Sequence, residues 1–166
     1  MTIFSLKQKV NLAKNAITKS APIYVQFYIT ARCNLACEQC NIIYADAKHQ
    51  EMNIGQINQV AENLKKIGVG IVLLIGGEPF VRKDISEIVK AFVSRNIHVR
   101  MQTNGVATRE QLEDCVKAGG KDISISLDTL QPSVQDKING GFNKSWGKAI
   151  DTIALVSDIF PENSTA

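Results

Sequence analysis

Cys33, Cys37 and Cys40 fall within eight residues of one another, in a chain with four cysteines in all. Thiolates at C-x3-C-x2-C spacing are soft ligands, suited to an iron–sulfur cluster or to zinc. Reactive redox thiols are a further use for so tight a group. A structural zinc site normally takes four protein ligands. The nearest further donor along the chain is His49, nine residues past Cys40. Spacing alone favours iron–sulfur, with one coordination position left for a bound molecule. Cys115 stands beside Leu112 and Val116 in a helical pattern and reads as a small buried hydrophobe.

Three other short stretches carry small or polar residues. In "GGEPF" (76–80), Gly76 and Gly77 allow close backbone approach to a ligand, Glu78 adds a carboxylate acceptor and Pro79 stiffens the exit. Asn104-Gly105 is a turn pair, and "DISISL" (122–127) leads through Ser126 to Asp128. Each has a plain structural reading: a βα turn for the first two, a cap for Asp128. Their position relative to the surrounding elements makes them candidates.

Those elements alternate in period. "IYVQFYIT" (23–30), "GIVLLI" (70–75), "IHVRMQ" (97–102) and "DISISL" (122–127) read as strands, the second as one buried on both faces. Asn53 with Gln56 caps a helix that carries Ile54, Ile57, Val60, Ala61, Leu64 and Ile67, and Gly68 ends it. Asp84 with Glu87 has capping-box spacing before Ile85, Ile88, Val89 and Phe92. Thr108 with Gln111 caps a third helix, stopped by Gly119-Gly120. A last helix runs from about Ser145 to Ile159 on Trp146, Ile150, Ile153 and Ala154. Strand–helix alternation with short connections predicts an α/β fold of four βα units on a parallel sheet, with right-handed crossovers. Ligand groups in such folds gather at the carboxyl ends of the strands. Every motif above follows directly on a strand, so all should open onto one face.

Residues 1–20 form a separate unit. Phe4, Leu6, Val10, Ala13 and Ile17 recur at helical steps with Lys7, Lys9, Lys14 and Lys19 mostly between them. This predicts an amphipathic helix packed on the edge of the domain, with a membrane-surface role as the less favoured reading. The stretch lacks the apolar core and cleavage site of a secretory signal, and a cytoplasmic protein is expected. At 166 residues, 45% hydrophobic and 21% charged, the chain is sized and composed as one globular domain. The net charge of +3 is scattered without a basic stripe, so no nucleic-acid partner is expected.

CNLACEQC after the first strand, followed by GGEP after the second, resembles the radical S-adenosylmethionine (SAM) superfamily. The resemblance covers residues 23–160 and implies a partial TIM-like barrel. It implies a [4Fe–4S] cluster held by Cys33, Cys37 and Cys40, its open iron chelated by SAM. One electron, from a donor such as flavodoxin or ferredoxin, would then yield methionine and a 5′-deoxyadenosyl radical that takes hydrogen from a substrate. Gly76, Gly77 and Glu78, with Pro79 behind them, would engage the methionine amino group. Asn104, Ser126 and Asp128 match positions that line the ribose or carboxylate pocket. Gln39 stands where the family commonly has an aromatic residue, leaving its backbone to contact adenine. "SISLDTL" resembles the group containing cofactor-biosynthesis enzymes and peptide-modifying maturases. The family core usually has six strands, so residues 21–166 read as its N-terminal portion, completed by a further segment or a dimer partner. A cluster- and SAM-binding module without turnover is the alternative.

Overall fold

The computed structural model describes residues 6–19, 21–44 and 51–160. Phe4 and His49 lie outside them. Four strands, β1 (Tyr24–Thr30), β2 (Ile71–Gly76), β3 (His98–Thr103) and β4 (Asp122–Ile125), form one parallel sheet in the order β1-β2-β3-β4. The helices are α1 (Leu6–Thr18), α2 (Ile54–Ile67), α3 (Ile85–Val93), α4 (Arg109–Lys117), α5 (Pro132–Ile138) and α6 (Ser145–Ile159). The α/β class, the parallel sheet and the four βα units are those expected from the sequence. The register runs from Tyr24↔Ile71 to Tyr28↔Ile75, then shifts before Thr30↔Gly76, where the chain leaves for the cysteine loop.

The core lies between the sheet and its helices. Val72 and Leu74 of β2, Val99 and Met101 of β3 and Ile123 of β4 meet Ile57 and Ala61 of α2, Ile88, Val89 and Phe92 of α3, and Leu112 and Cys115 of α4. Burial of these side chains at roughly 25 cal/mol per Å² of apolar surface is the main stabilising term. Cys115 is fully buried and burial pushes its thiol up to about 12, as suits the inert hydrophobe expected of it.

Two of the three expected capping boxes are present. Asn53 and Gln56 exchange side-chain-to-backbone bonds at the start of α2, as do Thr108 and Gln111 at α4; Gly68 ends α2 at φ 88°. The third is not. Asp84 occupies the N-cap position of α3 but makes no capping bond there. Its carboxylate is taken instead by Arg82, through Nε at 2.9 Å and Nη2 at 2.6 Å. Arg82 is only 4% exposed and also donates to the carbonyls of Ile29 and Met52, each at 3.0 Å. A buried guanidinium without its carboxylate is costly, and that need outweighs one capping bond.

Helix α1 docks the other way round from expectation. Its contacts come from Gln8, Leu12 and Asn15: the Asn15 amide donates to the Gly68 carbonyl, Leu12 lies against Gly70, and Gln8 reaches the Asn96 carbonyl. Leu6, Val10 and Ile17 face outward at 79%, 59% and 82% exposure. At 100° per residue the two sets lie on opposite sides of the helix. The amide of Asn15 satisfies a carbonyl at the C-terminus of α2 that no aliphatic side chain could.

The bounds of α6 agree with expectation, but its inward face differs. Ser145, Ala149, Thr152 and Val156 are buried, whereas Ala154 is exposed. The helix lies tight on the exit turn of β3: a Cβ at Gly105 would come 2.7 Å from Ala149 Cα, and Thr152 Oγ1 donates to the Gly105 carbonyl at 2.6 Å. Only small side chains fit that approach. Helix α5 was not expected at all; it opens with Pro132 in its first turn and is too short for a clear apolar period.

The Arg82 guanidinium holds the Asp84 carboxyl below its ordinary 3.8. A depressed carboxylate stabilises the fold above its unfolded pKa, and this contribution is lost as pH falls through the lower folded value. Asp84→Asn should therefore cost about 1–2 kcal/mol at neutral pH, and the gap to the parent chain should shrink on acidification below about pH 4. Urea midpoints taken from pH 7 to pH 3 measure this; a gap independent of pH would contradict it.

Candidate functional site

The site is built outward from the ends of β1 and β2. The Gly77 amide donates to the Thr30 carbonyl and the Glu78 amide to the Arg32 carbonyl, both at 2.9 Å, so strand pairing continues to the root of the cysteine loop. A Cβ at Gly76 would sit 2.2 Å from the Thr30 oxygen, and one at Gly77 2.1 Å from the Arg32 oxygen. The glycine pair is thus required by the backbone of the cysteine loop itself. Glu51 holds the same root from the other side, accepting from Thr30 Oγ1 and from Arg32 Nε and Nη2.

Glu78 turns inward. It is 1% exposed; Oε1 accepts from the Phe80 amide at 2.9 Å and from Thr103 Oγ1 at 3.0 Å, and Oε2 from the Asn104 amide at 2.7 Å. Burial raises its pKa, and the bonds from Asn104, Phe80 and Thr103 oppose that rise. Three donors occupy most of the roughly four lone-pair positions of a carboxylate. Held in this way, Asn104 points its Nδ2 at Asn34 Oδ1, 2.8 Å away, and at Cys33 Sγ, 3.8 Å away. The end of β3 therefore meets the first cysteine through one amide.

All three cysteines of the motif are half-buried, and the Cys40 amide closes a turn onto the Cys37 carbonyl at 3.1 Å. Burial raises the Cys33 thiol; burial, then the neighbouring Cys33 and Cys40, raise Cys37. The eight-residue span of the motif and the Cys37–Cys40 turn keep the three thiols on one loop. Among the described residues, no three His, Cys, Asp or Glu side chains converge tightly enough for a single metal ion. A cluster of several irons is wider than one ion, and three thiols spread over a partly dry loop with an N–H donor at Cys33 suit it.

A cavity of about 340 Å³ opens beside this loop, lined by Tyr28, Ile75, Gly76, Gly77, Glu78, Pro79, Gln102, Thr103, Asn104 and Ser126. It gathers the GGEP residues, Asn104 and Ser126 from three strand ends, as the topology required. Asp128 is exposed and not part of the lining; its carboxylate accepts from Gln135 Nε2 at 3.2 Å. Gln39 is exposed in the Cys37–Cys40 turn, as is Glu38. Tyr28 and Gln102 were not anticipated. Their signal was alternation, since each lies on the face of its strand opposite the helices.

A parallel βα sheet with a three-thiol loop after its first strand and a cavity across its strand ends defines a partial barrel with its candidate site on one face. Residues 27–166 match the model of the radical SAM superfamily, and the chain belongs to that family. It is 33% identical to a probable GTP 3',8-cyclase of Methanococcus vannielii over 118 residues, which is 68% of this chain and 39% of the relative. It is 32% identical to a PqqA peptide cyclase of Xanthomonas oryzae pv. oryzae over 141 residues, 84% of this chain and 38% of the relative. The chain thus spans about two-fifths of the length of these curated relatives. In fold it is similar to SuiB of Streptococcus suis bound to the precursor peptide SuiA, with a TM-score of 0.71 and 22% identity over 91% of this chain and 34% of that one. The expected partial TIM-like barrel is therefore the fold observed. Among the described residues no helix is long and apolar enough to cross a membrane.

Replacing Glu78 by Gln keeps the shape and loses the charge, and turns an N–H₂ group toward the Asn104 amide or Thr103. The fold should lose about 2 kcal/mol, because charge-assisted bonds become neutral ones and one buried donor is left unpaired. Chemical unfolding of parent and variant measures it; equal stabilities would show that the Glu78 bonds are dispensable.

Proposed function

We propose that this chain is the cluster- and SAM-binding part of a radical SAM enzyme. Cys33, Cys37 and Cys40 would hold a [4Fe–4S] cluster, and the cavity across the ends of β1 to β4 would hold SAM. When bound and reduced, these groups supply one-electron cleavage of the SAM sulfonium to methionine and a 5′-deoxyadenosyl radical, which takes hydrogen from a substrate. What the chain itself contributes is placement. Gly77 keeps the cavity floor against the root of the cysteine loop, where the GGE stretch would meet the methionine amino group. Asn104 reaches Cys33 with an N–H, the kind of donor that raises iron–sulfur potentials and shields sulfur. Ser126 and Gln102, hydrogen-bonded to each other at 3.3 Å, offer polar groups to the ribose. Asp128, beyond the lining, would approach the ribose from the rim, and the Gln39 backbone the adenine.

The observation that carries this reading is the link Glu78–Asn104–Cys33, which joins the GGE loop to the first thiol through one buried carboxylate and one asparagine. The named relatives include a GTP 3',8-cyclase and a peptide cyclase, which supports a reaction in cofactor assembly or peptide modification. The electron would come from a small low-potential donor of the flavodoxin or ferredoxin type. A second reading, a binding module without turnover, draws on β4, which pairs only with β3 among the described residues.

Anaerobic reconstitution with iron and sulfide, followed by SAM and dithionite, tests both. The expected product is 5′-deoxyadenosine, absent from a Cys37→Ala control. A cluster without product would support the binding module, and zinc in place of iron would overturn both readings.

A further inference from the structure

Helix α5 and the turn that follows it lie far along the chain from the cysteine motif, yet they grip it. The Glu38 amide donates to the Ile138 carbonyl at 3.0 Å. On the other side of Cys37, Ala36 lies so close under Gly140 that a Cβ there would come 2.3 Å from the Ala36 oxygen. Cys37 itself sets its thiol 3.4 Å from Asn139 Oδ1. Three consecutive residues of the loop thus meet three consecutive residues of the α5–α6 turn.

The direction in which Asn139 points is fixed by its neighbours. Gln135 is buried, and its Oε1 accepts from the backbone amides of Asp128 and Thr129 at 2.9 and 3.1 Å. Only its Nε2 is then left to face Asn139, and it donates to Asn139 Oδ1 at 3.3 Å and to Asp128 Oδ2. Asn139 Nδ2 must turn away, and it donates to Ser145 Oγ at 2.9 Å. The Ser145 proton goes on to Asp136 Oδ1 at 2.7 Å. Every donor in this buried chain faces an acceptor, so no amide can flip without creating a clash.

We propose that the α5–α6 turn is the template that sets Cys37, the middle ligand of the motif, with Asn139 and Gly140 as its positioning residues. The same chain of bonds begins at Asp128 and Thr129, so the end of β4 and the cysteine loop are set by one element. The importance of that placement for a cluster rests on the function proposed above; the placement itself does not.

Gly140 and Gly141 supply a matched pair of substitutions. Both have positive φ, +80° and +77°, so Ala costs each a similar left-handed strain, but a Cβ at Gly141 meets nothing within 4 Å. The cluster-free chain, its thiols reduced, is alkylated with iodoacetamide and each cysteine is followed by mass spectrometry. Cys115, fully buried, stays unlabelled in any folded variant and reports the fold within the same sample. Gly140→Ala should raise the Cys37 rate relative to Cys33 by about fivefold, as expected for loss of a hydrogen-bonded seat, while Gly141→Ala leaves it unchanged. Asn139→Ala removes the thiol's acceptor without backbone strain and should do the same; it decides the matter if Gly140→Ala exposes Cys115. Cys37 rates in Gly140→Ala and Asn139→Ala equal to those of Gly141→Ala and the parent would overturn the proposal. Iron bound after reconstitution is read separately. It should fall in Gly140→Ala and Asn139→Ala but not in Gly141→Ala, whereas a parent chain that binds no iron yet shows the alkylation pattern would refute the cluster reading and leave the template standing.

Discussion

A carboxylate that water cannot reach anchors this structure. Glu78 sits at the junction of three strand ends, and desolvation would expel its charge if the Phe80, Thr103 and Asn104 donors were not already aimed at it. Meeting that demand fixes the exit of β3 with respect to β2. The side chain of Asn104 is thereby directed at Asn34 and Cys33, and the Gly105 turn onto Ala149 of α6. One buried charge thus determines how the cysteine loop, the cavity and the last helix stand to one another.

Arg82 plays the complementary part four residues further on. Its guanidinium joins the end of β1, the segment before α2 and the start of α3 through Ile29, Met52 and Asp84. The turn from residue 78 to 82 is therefore bracketed by an acid facing β3 and a base facing β1. Such fully satisfied polar groups specify geometry more than they add net stability, which the apolar layer between sheet and helices supplies.

What the sequence made legible was local. The Asn53 and Thr108 capping boxes, the glycine stops and the alternation of periods depend on residues three or four apart, and the structure has them where they were expected. The strand-end motifs were legible because parallel βα topology places all such ends on one face. What escaped depended on burial or on distant partners. Asp84 has capping spacing, but a buried arginine two residues away claims it. The apolar stripe of α1 is regular, but Asn15 answers a carbonyl 53 residues away, and so turns the stripe outward. Gln135 and Asn139 look like ordinary polar residues of a short helix; only the fold brings Asn139 within reach of Cys37, 102 residues away.

The cysteine loop itself has little regular structure, so its shape must be imposed from outside. Backbone left free costs roughly 1–2 kcal/mol per residue to order when a ligand binds, and that cost would be charged against the affinity of any cluster. Here the ordering is already done at four places: Glu51 on Thr30 and Arg32, the Gly77 and Glu78 amides on Thr30 and Arg32, Asn104 on Cys33, and the Ile138–Gly140 turn around Cys37. Glycine recurs at these contacts because a loop held by backbone on two sides leaves no room for a Cβ at the points of closest approach. The ties come from the segment before α2, from the ends of β2 and β3 and from the α5–α6 turn, so the thiols are positioned by the barrel as a whole. A motif of eight residues can supply three ligands, but most of the fold is needed to hold them in place.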